Sequence, residues 1–131
     1  WSHMFIEIEA NSAVPIYLQL AQQIIEGVAK GSLKPGDSLP SVRAFAADLG
    51  MNMHTVNKAY HYLEEKEFIR IVQKKGVFIH ENGVHKASEL DRLRLKKELR
   101  PIVAEALCLQ LTQAEIELLI NEITLDLKEE K

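Results

Sequence analysis

The sequence predicts a mainly α-helical fold with one small β-hairpin, and three stretches carry that prediction. Leu39 to Phe68 holds two short helical patterns joined at a glycine. Phe68 to His80 holds two β-branched and aromatic runs around a basic turn. From about Lys86 a helical period returns and fills the rest of the 131 residues as a two-helix tail.

The first of these stretches organises the chain. Ser41 is suited to cap a helix, because its hydroxyl can accept an N–H of the first turn that has no helical partner. Val42, Phe45, Ala46 and Leu49 follow at i, i+3, i+4 and i+7, which makes one face apolar. Gly50 stops this helix, since glycine takes the left-handed conformation without steric cost. Asn52 can cap a second helix starting near His54, with Val56, Tyr60 and Leu63 as its buried stripe. Met53, His54, Asn57, Lys58 and His61 are left on its outer side. Two helices so arranged form a helix-turn-helix, whose second helix offers its N-terminal residues to the major groove of DNA.

The hairpin follows at once. Its runs are Phe68 to Val72 and Val77 to His80, and Gln73, Lys74, Lys75 and Gly76 form its tip. A helix-turn-helix followed by such a hairpin is a winged helix, α+β in class.

The other elements are placed around this unit. Trp1 to Met4 reads as a cloning remnant, with the natural start at Met4. Phe5 to Glu9 alternates apolar and acidic residues and reads as a short strand or an ordered arm. Pro15 opens a helix that reaches about Lys30, with Tyr17, Leu20, Ala21, Ile24 and Val28 as its core stripe. Lys34-Pro35-Gly36-Asp37 is a turn, and Ser38-Leu39 can add a strand to the wing. Glu81-Asn82-Gly83 is a polar break. In the tail, Pro101 predicts a kink or a break near Arg100. Thr112 to Glu115 is a capping box that starts the last helix. The expected division is 5–80 for the winged helix, 81–84 for a linker and 85–131 for a helical dimerisation domain.

The tail positions Leu99, Ile102, Val103 and Leu107, then Ile116, Leu119, Ile120 and Ile123, are more apolar than two helices without a third layer can bury. A second copy of the chain is the simplest cover. Charge divides the same way. Ser41 to His80 carries a net +2 and Glu105 to Lys131 a net −5, within a chain of net charge −3. That asymmetry suits a lobe facing phosphate and a tail facing away from it. Taken alone it also fits ordinary solvated faces.

No run is long and apolar enough to span a membrane, and no signal peptide is visible. The single cysteine, Cys108, suits a cytoplasmic location and reads as a small buried hydrophobe rather than a redox sensor. No phosphate-cradling glycine loop, nucleophile elbow, HExxH or zinc spacing occurs, so nothing points to an enzyme, a cofactor or a metal. His54 and His61 read as plain polar residues, and Tyr60 and Tyr62 as packing residues. Lys66 and Arg70 are expected to pair with the Glu64-Glu65-Glu67 run.

These residues resemble the DNA-binding domain of the GntR family of bacterial transcription regulators. The likeness is carried by Tyr17-Leu18-Gln19, Lys34-Pro35-Gly36-Asp37, Leu39-Pro40-Ser41-Val42-Arg43, Thr55-Val56, Ala59-Tyr60 and Gly76-Val77-Phe78. The short tail is similar to that of the YtrA-like subfamily. The resemblance implies a homodimeric regulator, commonly a repressor, on a palindromic operator in double-stranded DNA. It implies that Arg43, Asn52, Met53, His54, Thr55, Asn57 and Lys58 face DNA from the helices, and Lys74, Lys75 and Gly76 from the wing tip. Asn57 is the best base reader, since a carboxamide can pair in bidentate fashion with adenine. Met53 departs from relatives with arginine or proline there, and an apolar side chain cannot donate to guanine. Two other readings use the same chain: a ligand-responsive regulator with a pocket between lobe and tail, and a winged-helix protein-interaction module without DNA binding. No convergent polar cluster in the sequence marks an effector site.

Overall fold

The computed structural model describes residues 6–128. The elements are α1 (Ile16–Lys30), β1 (Ser38–Leu39), α2 (Val42–Leu49), α3 (Met53–Glu65), β2 (Ile69–Val72), β3 (Gly76–Ile79), α4 (Glu89–Cys108) and α5 (Gln113–Lys128). Trp1 to Phe5, including the supposed remnant, lie outside the described residues. The chain divides into two compact units, with the change at His85 and Lys86.

The first unit is built by short-range rules acting on a shared core. Ser41 caps α2 by accepting the Ala44 N–H at 3.1 Å, and Asn52 caps α3 by accepting the His54 N–H at 2.7 Å. Between them Gly50 takes φ +63°, the left-handed conformation that lets its N–H turn back onto the last α2 carbonyls. The turn brings α3 across α2 so that their apolar stripes meet. Leu20 and Ile24 from α1, Phe45 from α2, and Val56, Tyr60 and Leu63 from α3 are all fully enclosed. Each such side chain contributes on the order of 1.5–3 kcal/mol by leaving water.

The sheet closes this core from one side. Its order is β1-β3-β2, antiparallel throughout, with Leu39 opposite Val77 and Ile69 opposite Ile79. Val77 and Ile79 point inward while Gly76 and Phe78 do not, the period-two burial of a sheet with one face on the core. Ser38-Leu39 does join the wing. Residues 6–9 form an extended arm rather than a strand, with Ile6 and Ile8 packed on the core.

Arg70 pairs with Glu81 at 2.6 Å, not with the Glu64-Glu65-Glu67 run. Glu64 instead accepts the Ile71 N–H at 2.9 Å, at the edge of β2. Lys66 lies over the Tyr62 ring, 5.2 Å from its centre.

The second unit consists of α4 and α5. Ser88 caps α4 in a box with Asp91: the Asp91 N–H reaches the Ser88 hydroxyl at 3.1 Å, and the Ser88 N–H reaches the Asp91 carboxylate at 2.9 Å. Thr112 and Glu115 form the same box at α5. The helix does not break at Pro101. Proline removes one N–H, but the carbonyl deprived of it, on Lys97, belongs to an exposed residue that water can reach. Cys108, expected in a core, is exposed as the last residue of α4. Neither helix has a buried residue, so there is no core in this unit for it to enter.

Candidate nucleic-acid interface

The outer face of α3 is what the core leaves over. Val56, Ala59, Tyr60 and Leu63 are buried, so Met53, His54, Asn57, Lys58 and His61 stand out as one exposed ridge. Thr55 is half-buried at its edge, with its N–H on the Asn52 carbonyl at 3.0 Å. Asn52 is itself exposed, but its side-chain oxygen is engaged by the cap. Arg43 is exposed in the first turn of α2. Thus Arg43 and 52–58 are gathered on two adjoining helices of one unit.

Tyr60 fixes the relation of those helices. It is fully buried, and its hydroxyl donates to the Pro40 carbonyl at 2.6 Å, just ahead of the Ser41 cap. Burial raises its pKa well above the ordinary value of 10. Tyr60 is therefore a packing residue, and Tyr62 is one too, set edge-on against Tyr17 with ring centres 6.2 Å apart.

The wing tip brings three more of the expected residues to the surface. Lys74, Lys75 and Gly76 are all exposed. The Lys75 N–H closes the turn on the Val72 carbonyl at 2.9 Å. The left-handed residue of this turn is Lys74, at φ +68°, and Gly76 follows at φ +127°. The glycine predicted for the tip is thus used where β3 begins, and a lysine carries the turn itself. Lys75 also borders a shallow surface with Arg70, Phe78 and Glu81.

One neighbour of the ridge escaped the sequence reading. Tyr17, assigned there to the α1 core stripe and to the family likeness but not to the interface, has the Lys58 ammonium 4.4 Å above its ring centre. The two residues are forty-one positions apart, so no periodicity links them. Among the histidines, His85 faces Glu67 at 3.6 Å. No group of three or more metal-ligating side chains occurs among the described residues. No helix there is long and apolar enough to cross a membrane.

The expected dimerisation residues lie in the second unit. Leu99, Ile102, Leu107, Leu119, Ile120 and Ile123 are exposed in the single chain, and Val103 and Ile116 are half-buried.

The family profile described as "Bacterial regulatory proteins, gntR family" matches residues 16–79, the helices and wing of the first unit. The chain is similar to the HTH-type transcriptional repressor YtrA of Bacillus subtilis, 36% identical over 123 residues that cover 94% of this chain and 95% of that one. In structure it is similar to a transcriptional antiterminator from Listeria monocytogenes, with a TM-score of 0.89 and 34% identity over 96% and 94% of the two chains. It is also similar to YtrA from Sulfolobus acidocaldarius, a GntR-family transcription factor, with a TM-score of 0.60 and 46% identity over 79% and 97%. Sharing nearly its whole length with one repressor and its winged helix with the family profile, the chain belongs to the GntR family of DNA-binding transcription regulators, and within it is YtrA-like.

Proposed function

We propose that this chain is a cytoplasmic, sequence-specific repressor that binds a palindromic operator as a homodimer. The observation that carries the reading is the exposed ridge of α3, where His54, Asn57, Lys58 and His61 stand beside Met53 outside the core. Asn57 on that ridge reads a base edge, with His54, Thr55 and the apolar Met53 beside it. Arg43, Lys58, Lys74 and Lys75 neutralise phosphates, and these contacts set the register of the domain on the duplex. Asn52 orients the ridge through its cap, and Gly76 lets the wing approach the backbone closely.

The homodimer is supported by the second unit. Isolated helices of 20 and 16 residues gain most of their stability from a packed face. Here Leu99, Ile102 and Leu107 on α4, with Leu119, Ile120 and Ile123 on α5, are exposed among the described residues, and Val103 and Ile116 beside them are only half-buried. A partner's tail covers them, and a two-fold dimer then presents two α3 helices to a two-fold operator. The action as a repressor is supported by the similarity to the Bacillus subtilis repressor.

Selection of bound sequences from a random duplex pool, at two salt concentrations, tests the reading. Enrichment of a two-fold palindrome is the expected result. Binding without an enriched motif points to a non-specific role, and no binding at low salt removes the reading.

A further inference from the structure

Lys58 does not project freely from α3. Its ammonium rests over the face of Tyr17, 4.4 Å from the ring centre. Tyr17 stands in the first turn of α1, held by the edge-on ring of Tyr62 and by packing against the core. Ile16, Tyr17, His54, Thr55 and Lys58 line an open cleft of about 320 Å³, and no carboxylate is among them. The charge of Lys58 therefore has an aromatic face beneath it and no anion of the cleft's own lining to satisfy it.

A lysine side chain is long and loses much rotamer freedom when it is fixed on a ligand. A ring face attracts the ammonium and restricts that freedom beforehand. Three N–H groups surround the nitrogen. The ring covers one side of the ammonium, and the others remain for oxygen atoms arriving from the open mouth of the cleft. We propose that Tyr17 is a positioning residue for DNA binding: its ring holds the Lys58 ammonium beside the α3 ridge, ready for a backbone phosphate. The inference rests on the DNA-binding reading above and assigns a role in binding to a residue that the sequence placed in the core stripe of α1.

The test is a double-mutant cycle on the full chain, read as affinity for a random-sequence duplex over a range of salt. Tyr17→Leu and Lys58→Met each weaken binding by about fivefold, since the change is present in both copies of a dimer. Lys58→Met lowers the slope of log affinity against log salt by about 0.9 for every phosphate that is no longer neutralised. In the Lys58→Met background, Tyr17→Leu has no further effect, because a residue acting through Lys58 has nothing left to act on. Tyr17→Phe keeps the ring and binds like the parent.

Effects that simply multiply in the double variant overturn the inference, as does Tyr17→Leu binding like the parent. A parent chain that binds no duplex at low salt overturns the DNA reading itself. A second measurement needs no variant to fold. In the NMR spectrum of the parent chain the Lys58 ε-methylene protons shift upfield under the Tyr17 ring, and unshifted protons overturn the inference.

Discussion

The carboxamide of Gln19 pairs with both main-chain groups of Glu9. Its oxygen accepts the Glu9 N–H at 2.8 Å, and its nitrogen donates to the Glu9 carbonyl at 2.9 Å. One helical turn later, Gln23 does the same for Glu7. The spacing explains the match. Four helical residues advance about 6 Å and two extended residues about 6.6 Å, so two glutamines on α1 read alternate residues of an extended arm. Ile6 and Ile8 then turn onto the core and Glu7 and Glu9 stay outside. Replacing both glutamines by alanine releases the arm and costs about 1–3 kcal/mol, the net value of a few exposed hydrogen bonds. Amide exchange reads this directly: the Glu7 and Glu9 N–H groups lose protection while those of α3 keep theirs. Unchanged protection at Glu7 and Glu9 shows that the arm is held by its isoleucines alone.

That pairing also shows where sequence reading stops. The caps at Ser41, Asn52 and Thr112 were legible because each acts within three residues of itself. The helix-turn-helix and the wing were legible because burial on one face imposes a period. Gln19 and Gln23 act on main-chain groups ten and sixteen residues away, and a main-chain partner leaves no mark in the sequence. The Lys58–Tyr17 pair is hidden for the same reason of distance. Of the kink or break expected at Pro101, the break does not occur, because the cost of a missing N–H depends on who else can reach the orphaned carbonyl. Cys108 was misread as buried because its pattern is apolar, and in one chain the tail has nothing to bury it against.

Tyr60→Phe tests the tie between α2 and α3. The variant keeps the packing and takes the donor from the Pro40 carbonyl. A loss of about 1–1.5 kcal/mol follows, which lowers the melting temperature of a domain this size by roughly 4–10 °C. The pH dependence has a definite sign. Burial raises the folded pKa of Tyr60 above its ordinary value of 10, so the folded state holds the proton more tightly than the unfolded one. Its contribution is intact below pH 10 and declines as pH rises past the unfolded value. Urea titrations above pH 10 should find stability falling less steeply in Tyr60→Phe than in the parent, and equal slopes contradict the assignment.

Lys74→Gly separates the two roles of one residue. At φ +68° a lysine backbone is strained by its Cβ, and glycine is not. Allowing for the greater freedom of glycine in the unfolded chain, the variant gains about 0.5–1 kcal/mol. It also loses a cation from the wing tip. Thermal unfolding should therefore rise while duplex affinity falls and its salt dependence flattens. Stability and affinity that fall together point to a distorted wing instead.

Base reading and phosphate binding differ in what they do to specificity. Asn57→Ala costs about 1–3 kcal/mol on the enriched duplex and relaxes the preference at one base pair. Arg43→Ala also weakens binding to that duplex. Lys74→Ala with Lys75→Ala weakens all duplexes about equally and lowers the salt slope by about 0.9 for each phosphate left without its lysine. None of these changes alters the oligomeric state. Parent-like affinity in all three variants leaves the ridge and the wing without their assigned roles.

The tail supplies the sharpest test of assembly. Ile102 on α4 and Ile120 on α5 are 64% and 48% exposed in the single chain. Ile102→Glu with Ile120→Glu places two charges on a face that a partner must desolvate, which is costly for an unpaired carboxylate. Sedimentation should show the parent as a dimer and the variant as a monomer. Because α4 and α5 have no core of their own, the monomer also loses helical signal from both, while the first unit keeps its unfolding transition. Affinity for a full palindrome falls to that for a single half-site, since the second α3 helix no longer comes with the first. A variant that remains dimeric with full helicity places the interface on some other face of the chain.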